Sequence, residues 1–270
     1  LNCPEEVYLA EKLVEMHPWS DMVRFARAGG EINSVAVRIA RAATGKEKIA
    51  ICGYHGWHDW YLSSNLHNDT NLDGHLLPGL QPNGVPRGLK GTTLPFKYND
   101  IEGLEQLIKQ NHGEIAAIKM EVSRNERPID GYLKKVRDLA TENNIVLIFD
   151  ECTSGFRETF GGLHKKYSIE PDIAIFGKAL GNGYAISACI GRREFMEATQ
   201  KTFISSTFWT ERVGPSAALK TLEIMEREKA WDKISQTGIN ICSQWKALAK
   251  KYNLKIKTCG LPALGSFSFN

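Results

Sequence analysis

The sequence predicts an α/β fold in which helices flank a mostly parallel sheet. Short, continuous apolar runs alternate along the chain with longer segments whose apolar residues recur at helical spacing. The runs contain few polar interruptions, which is typical of parallel strands that helices bury on both faces. The turn Ala28-Gly29-Gly30 joins one such run to a helical segment. This strand, glycine turn and helix form the first unit of the predicted fold.

The first elements follow from local spacing. Glu5 to Met16 carries apolar residues at helical intervals and is predicted to be an amphipathic helix that ends near Pro18. A short apolar run, Met22 to Phe25, predicts a strand, and the residues from Glu31 to Gly45 predict the helix that follows the glycine turn. Lys48 to Cys52 is apolar apart from its first residue and predicts the next buried strand.

A polar stretch separates this unit from the next. Residues Asn65 to Gly91 are rich in Asn, Gly, Pro and Asp, so we expect a surface or active-site excursion rather than core. Ordered elements return after it: helices at 100–110 and 133–143, and strands at 116–121, 145–150, 173–176 and 186–190. Together with the two earlier strands they give six strands of a mostly parallel sheet.

The end of the chain changes character. Val213 to Asn253 is helical by periodicity, with a break near Ala230, and the last residues suggest short strands. We therefore predict a large domain at 1–235 and the beginning of a small C-terminal domain at 236–270.

Composition limits the kind of protein. The 270 residues are 42% hydrophobic and 24% charged with a net charge of +3, as in ordinary soluble domains. The sequence has no apolar run long enough to predict a transmembrane helix. Its basic residues are too few and too dispersed to predict a nucleic-acid partner. The six cysteines lack paired or metal-ligand spacing, which favours a reduced, cytoplasmic chain without a metal site. The opening residues lack the features of a secretory signal, and Leu1 is not expected to be a native start.

Polar residues follow several predicted strands where ligands bind in open parallel sheets. The amides at Gly29 and Gly30 suit a phosphate, although a packing turn explains these glycines about as well. Tyr54, in Tyr54-His55-Gly56, offers an aromatic face to a flat cofactor, or forms the rim of the core. Glu121 is either a site residue or a solvated carboxylate. Asp150 ends an apolar strand and requires a cationic or hydrogen-bonding partner if buried.

Lys178 lies between an apolar strand and the glycine-rich segment Gly181-Asn182-Gly183. A lysine chosen at random is a surface residue, but small neighbours allow a cofactor to approach the backbone here. Desolvation can also lower the pKa of a lysine enough to make its amine a nucleophile. Lys178 is therefore the candidate nucleophile.

With these residues the chain resembles class III (subgroup II) aminotransferases, close to the glutamate-1-semialdehyde aminomutase branch. The resemblance rests on VRFARAGGEINSVAVRIARAATGKEKI, CGYHGWHD, IVLIFDECTSGFR and FGKALGNGYAISA, in the family's order. It implies a fold type I large domain with a mostly parallel, mixed sheet of the seven-stranded type. It also implies pyridoxal 5'-phosphate as cofactor and amino transfer between an amino donor and a carbonyl acceptor. A 1,2-aminomutase is the alternative, and a non-catalytic interaction domain that retains the fold is another.

The resemblance also implies roles for individual residues. Lys178 would hold the cofactor as a Schiff base and carry the proton, and Asp150 would pair with the pyridine nitrogen. Tyr54 would stack on one face of the ring, with Cys152 against the other. The amides of Gly29 and Gly30 would bind the phosphate.

Further cofactor-binding residues implied by the resemblance are His55, Glu121, Thr153 and Thr207. Thr207 would reach the phosphate of a neighbouring subunit, which implies a homodimer with shared sites. A helix cap for the run that starts near Val213 is the alternative role for Thr207.

The chain departs from the family at several positions. Val122 replaces the proline of the family's Glu-Pro motif, and Asn182, Ala185 and Ser187 differ from the common residues near the substrate side. Family members also extend beyond both ends of this chain, so we expect it to be a fragment that lacks parts of the substrate pocket.

Overall fold

The computed structural model describes residues 2–75 and 78–269. Its main sheet has seven strands in the order β1-β7-β6-β5-β4-β2-β3. The strands are β1 (Met22–Ala26), β2 (Lys48–Cys52), β3 (Thr93–Pro95), β4 (Ile115–Glu121), β5 (Val146–Asp150), β6 (Ile173–Phe176) and β7 (Ser187–Gly191). Neighbouring strands from β3 to β6 are parallel, whereas β7 is antiparallel to both β6 and β1. The predicted mixed, mostly parallel sheet is confirmed.

Helices cover both faces of the sheet. They are α1 (Pro4–Met16), α2 (Gly29–Thr44), α3 (Asp59–Leu62), α4 (Ile101–Gln110), α5 (Tyr132–Glu142), α6 (Arg193–Met196), α7 (Val213–Glu228) and α8 (Ala230–Lys251). Ile39 of α2 packs in one cluster with Ile49 and Ile51 of β2, while Ala50 packs with α4 and α5 in another. Residues 49–52 of β2 are apolar and buried, and because successive strand residues point to opposite faces, both faces of the strand are covered.

The helix boundaries have local causes. α2 ends at Gly45, whose φ of 68° is the left-handed conformation that a helix C-cap needs. The predicted break near Ala230 is also present, since Lys229 adopts a φ of 48° between α7 and α8. Asp100 caps α4 by accepting a hydrogen bond from the amide of Gly103.

Three of these elements were not predicted: strand β3 and the single-turn helices α3 and α6. Edge strand β3 lies just after the polar stretch and pairs with β2, and its sequence contains Pro95, which the edge position tolerates. The single-turn helix α3 is too short to show helical periodicity. Leu76 and Leu77, in the predicted excursion of Asn65 to Gly91, lie outside the described residues, as does Leu1.

A second, two-stranded sheet follows α8. Its strands are β8 (Ile256–Cys259) and β9 (Ser266–Phe269), which pair antiparallel. The terminal strands were predicted, but the division between residues 235 and 236 falls inside α8 and remains a prediction. Within residues 2–75 and 78–269, no helix combines the length and apolar character needed to cross a membrane.

The parallel strands bring distant residues to one edge. Strands β2, β4, β5 and β6 end at the same side of the sheet because they run in the same direction, and α2 begins there. In the β4–β5 pair, Glu121 lies opposite Asp150. The candidate residues that follow these strands are therefore neighbours in space.

Candidate active site

A cavity of about 220 Å³ opens at this edge. Predicted residues contribute most of its polar lining: Gly29, Gly30, Tyr54, His55, Asp150, Cys152, Thr153 and Lys178. Further lining residues that sequence reasoning did not select include Arg27, Asn33, Arg124 and Tyr184. Glu121 and Thr207 are not among the lining residues.

The first turn of α2 forms one end of the cavity. Gly29 and Gly30 are its first two residues, so their amides have no carbonyl acceptor within the helix. Asn33 donates a hydrogen bond from Nδ2 to the carbonyl oxygen of Gly29 at 2.7 Å, and Ser187 donates one to the carbonyl of Ala28 at 3.2 Å. The free amides and the positive end of the helix can bind an anion.

Asp150 also lines the cavity, and its side chain is almost fully buried. Its Oδ1 accepts a hydrogen bond from the amide of Cys152 at 3.1 Å, and its Oδ2 lies 2.9 Å from Nδ1 of His55. Burial alone would raise the pKa of Asp150, but the charge of Lys119 and the hydrogen bond with His55 outweigh it, so the pKa lies below its usual range. Asp150 is therefore an ionised acid at neutral pH.

His55 supports this carboxylate. Its ring stacks against Trp60 at 6.4 Å between centroids, and burial lowers its pKa to about 4. The Nδ1 atom of His55 donates to Asp150, and its Nε2 lies 3.2 Å from the carbonyl oxygen of Cys52, so both ring nitrogens face acceptors while burial opposes a second proton. His55 thus orients the acid.

Lys178 follows β6 and is exposed to the cavity side. Its Nζ donates a hydrogen bond to Oγ1 of Thr153 at 2.6 Å. Its backbone φ of 42° is in the left-handed region, which costs a residue with a side chain about 1–2 kcal/mol. Such strain persists when the surrounding structure imposes it, and it is frequent at functional sites.

Glu121 lies behind Tyr54 rather than in the cavity. Its Oε2 accepts a hydrogen bond from the amide of Tyr54 at 3.1 Å, and its Oε1 accepts from Nε of Arg124 at 2.8 Å. Burial raises the pKa of Glu121 to about 7, against the opposing charge of Arg124. Arg124 also donates to Thr153 at 3.0 Å and lies 5.8 Å from the centre of the Tyr54 ring. Glu121 and Arg124 therefore position Tyr54 and Thr153.

Cys152 contributes a buried thiol to the cavity wall. Its Sγ would lie 3.3 Å from a Cβ added to Gly177 and 3.8 Å from one added to Gly29. Burial raises the pKa of this thiol, so Cys152 remains neutral and acts as a small, weakly polar surface.

The neighbouring acid, Glu151, points away from the cavity. It accepts hydrogen bonds from the amide and Nδ1 of His164, both at 2.9 Å, and from the hydroxyl of Ser154 at 2.5 Å. Trp19 donates to Nε2 of His164 at 3.1 Å, which fixes the proton of that imidazole on Nδ1. Glu151 therefore has a structural role, and hydrogen-bond donors from His164 and Ser154 satisfy its carboxylate.

Thr207 is exposed in a loop of the same chain. That loop is held beside the start of α2, because Arg27 donates to the carbonyl oxygens of Phe208 at 3.0 Å and Trp209 at 2.7 Å. The cap of α7 is supplied by Glu211, whose carboxylate accepts from the amides of the first helical residues, so Thr207 does not serve as that cap.

The sequence pattern of the family described as "Aminotransferase class-III" matches residues 2–268. The chain belongs to the class III aminotransferase family. Among curated relatives, the 3-aminobutyryl-CoA aminotransferase of Cloacimonas acidaminovorans is 34% identical, over 97% of this chain and 61% of the relative. The glutamate-1-semialdehyde 2,1-aminomutase of Methanocaldococcus jannaschii is 33% identical, over 100% of this chain and 64% of the relative. The chain thus spans less than two thirds of these relatives.

Solved structures confirm the predicted fold type I architecture. The internal-aldimine form of the FumI protein of Sphingopyxis sp. MTA144 has a TM-score of 0.89 at 25% identity, with 100% of this chain and 63% of that chain covered. An omega-transaminase from Sphaerobacter thermophilus has a TM-score of 0.85 at 26% identity, with 97% and 62% covered.

Sequence reasoning on this class III chain missed Lys119, Arg124 and Asn33. A signal existed for Lys119, because it interrupts the otherwise apolar run of β4. Arg124 and Asn33 had no such signal, since an arginine in a loop and an asparagine in a helix are common at surfaces.

Proposed function

We propose that the protein transfers an amino group between a small-molecule amino donor and a carbonyl acceptor, with pyridoxal 5'-phosphate as its cofactor. The observation that carries the proposal is one cavity with Lys178, Asp150 and the free amides of Gly29 and Gly30 around it. A flat cofactor with a phosphate, a ring nitrogen and an aldehyde needs an anion site, an acid and an amine. The residues present fit all these groups.

Each residue has a defined duty in this proposal. The start of α2 would hold the phosphate, and Asp150 would hold a proton on the ring nitrogen. Lys178 would bind the cofactor covalently and then move a proton at the substrate carbon that bears the amino group. When bound, pyridoxal phosphate supplies an electron sink for the negative charge that develops on that carbon.

Thr153 supports Lys178 in this reaction. Its hydroxyl oxygen accepts hydrogen bonds from Lys178 and from Arg124. These contacts hold the amine at the cavity wall, which reduces the freedom that must be lost before it reacts. Tyr54 and Cys152 would enclose the ring between them.

Borohydride reduction of the cofactor-loaded protein, followed by peptide mapping, tests the proposal. We expect the label on Lys178, with loss of both label and cofactor absorbance in Lys178→Ala. Lys220→Arg is the matched control, because Lys220 is exposed on α7 and pairs with Glu223 at 2.6 Å. A label on Lys119 or Lys220 would contradict the assignment, as would failure of the wild type to bind the cofactor.

The aminomutase reaction is a second candidate function. It is favoured by relatives that are glutamate-1-semialdehyde 2,1-aminomutases, at 32–33% identity over 98–100% of this chain. A mutase converts one substrate with no second reactant, whereas a transferase needs both an amine and a carbonyl compound. Product formation from glutamate-1-semialdehyde alone would identify the mutase.

We also propose a homodimer with shared sites. Thr207 is exposed next to Phe208, which is 72% exposed, and Phe203 in the same loop is 83% exposed. Exposed aromatic residues in a loop that is held beside the start of α2 suit a subunit contact, where Thr207 would reach the partner's phosphate.

The domain division and location complete the proposal. Residues 1–235 would form the cofactor-binding large domain and residues 236–270 the start of the small domain. A cytoplasmic location is supported by the cysteines, which are free in the described part of the chain.

A further inference from the structure

Lys119 is a buried lysine that the proposed mechanism does not use. It lies in β4 with no exposed surface, and its Nζ has no hydrogen-bond partner within residues 2–75 and 78–269. The rest of β4 up to Glu121 is apolar. Because an unpaired ammonium in such surroundings is costly, its charge must be balanced nearby or lost.

Asp150 is the acid that can balance it. The Oδ2 atom of Asp150 lies 3.9 Å from Nζ of Lys119. Among the described residues, Asp150 provides the carboxylate that lies within ion-pair distance of Lys119. The contact arises because β4 and β5 are parallel neighbours. Lys119 lies opposite Ile148, and Asp150 is two residues beyond Ile148 on the same face of the sheet. The Lys119 side chain is fully buried and the Asp150 side chain is only 4% exposed, at the cavity wall, so solvent screens the pair little.

The other groups around Lys119 do not replace this partner. Glu121 interacts with Lys119 at longer range but is already paired with Arg124 at 2.6 Å. Cys152 and Cys189 face Lys119 as neutral thiols, because burial raises the pKa of each. Burial lowers the pKa of His55 to about 4, and its Nδ1 is directed at the Asp150 carboxylate, so this ring cannot serve as a counter-charge for Lys119. Burial also lowers the pKa of Lys119, and the charge of Asp150 opposes that shift.

We propose that Lys119 is a positioning residue that shares the charge of Asp150 with the cofactor's ring nitrogen and so lowers the proton affinity of that nitrogen. The inference rests on the proposed function, because it requires pyridoxal phosphate to bind against Asp150. One carboxylate faces two cations when both Lys119 and the ring nitrogen are protonated. Each cation therefore disfavours the other, and the strength of the electron sink is set by Lys119.

Nitrogen-15 NMR of protein loaded with ring-labelled pyridoxal phosphate measures this directly. In Lys119→Met we expect the pH midpoint of ring-nitrogen deprotonation to rise by about one to three units, the range produced by a nearby charge. Lys119→Gln, neutral but polar, should shift the midpoint in the same direction. Lys48→Met is the control, since Lys48 begins β2 and pairs with Glu114 at 2.8 Å. Equal midpoints in wild type and Lys119→Met would overturn the proposal.

A cofactor-free measurement tests the pair itself. Asp150→Asn leaves the Lys119 charge without its carboxylate, so the apoprotein should melt about 6–20 °C lower. Adding Lys119→Met to Asp150→Asn should recover most of that loss. If the double variant melts no higher than Asp150→Asn, Lys119 is not balanced by Asp150. Failure of the proposed function is distinguishable, because it removes cofactor binding from the wild type and leaves this apoprotein comparison intact.

Discussion

Gly56 lies where the loop after β2 crosses the start of α2, and its replacement by alanine tests the architecture of the phosphate end. Gly56 has a φ of 102°, and a Cβ placed there would lie 2.9 Å from Cα of Gly30. The obstacle is backbone rather than a flexible side chain, so the loop or the first turn of α2 must move. Gly45 offers a matched control at the other end of the same helix, with a φ of 68° and no atom within 4 Å of its added Cβ.

The two substitutions differ in their expected cost. Gly45→Ala places an ordinary side chain in the left-handed region and should destabilise the fold by about 1–2 kcal/mol. Gly56→Ala adds backbone strain of about 1–3 kcal/mol to an overpacking cost of about 1–3 kcal/mol. Because the displaced atoms belong to the turn that would bind the phosphate, only Gly56→Ala should also weaken cofactor binding. We expect a loss of at least about tenfold, equivalent to about 1.4 kcal/mol.

The assay combines urea unfolding of the apoproteins with titration of pyridoxal phosphate into each. Gly45→Ala introduces strain without a close contact, so the difference in unfolding free energy between the two variants reports mainly the overpacking at Gly56. The titration measures the affinity for pyridoxal phosphate and so reports the effect on the phosphate end. Gly56→Ala should fall below Gly45→Ala in both measurements. If Gly56→Ala binds the cofactor as tightly as Gly45→Ala, the close contact between the loop and α2 does not shape the binding site, and the reasoning fails.

Other predictions concern acid stability and the subunit contact. Burial lowers the pKa of His17 to about 4, and its Nε2 accepts a hydrogen bond from Gly162 at 3.1 Å, so folding favours the neutral ring. Its contribution of about 3 kcal/mol is present above the unfolded pKa near 6.5 and is lost as pH falls towards 4. Urea unfolding from pH 7 to 4.5 should therefore show a shallower pH dependence in His17→Phe than in wild type, and parallel curves would contradict this. Thr207→Ala should weaken cofactor retention in a dimer confirmed by light scattering, without changing the apoprotein melting temperature, whereas its neighbour control Ser206→Ala should change neither. A monomer with full cofactor affinity would rule out the shared site.

Local chemistry in the sequence was sufficient to predict six of the seven strands of the main sheet, all but the edge strand β3, and many residues of the cavity. Strands such as β4 and β5 are continuous apolar runs, and their period and flanking residues depend only on sequence neighbours. Polar residues at the ends of parallel strands must meet at one edge, so the order of the strands along the chain is enough to place Asp150 and Lys178 together. The roles proposed for them come from the family resemblance.

Distances across the sheet depend on the tertiary packing. Asp150 and Glu151 are adjacent in sequence, yet the backbone turns one carboxylate towards the cavity and the other towards His164. Thr153 acquires its place because Lys178 and Arg124, from different loops, both reach its hydroxyl. Such contacts depend on which strands are neighbours and in what register.

Lys119 shows most clearly which features depend on the sequence alone and which depend on tertiary packing. The sequence shows that Lys119 interrupts the otherwise apolar run of β4. Either this lysine is buried in the strand, or the run is not a strand. The packing of β4 beside β5 is what makes Asp150 its counter-charge, at 3.9 Å. Periodicity reports which face of a strand is buried, whereas the partner of a buried charge is set by strand order and register, which residues far apart in the chain determine together.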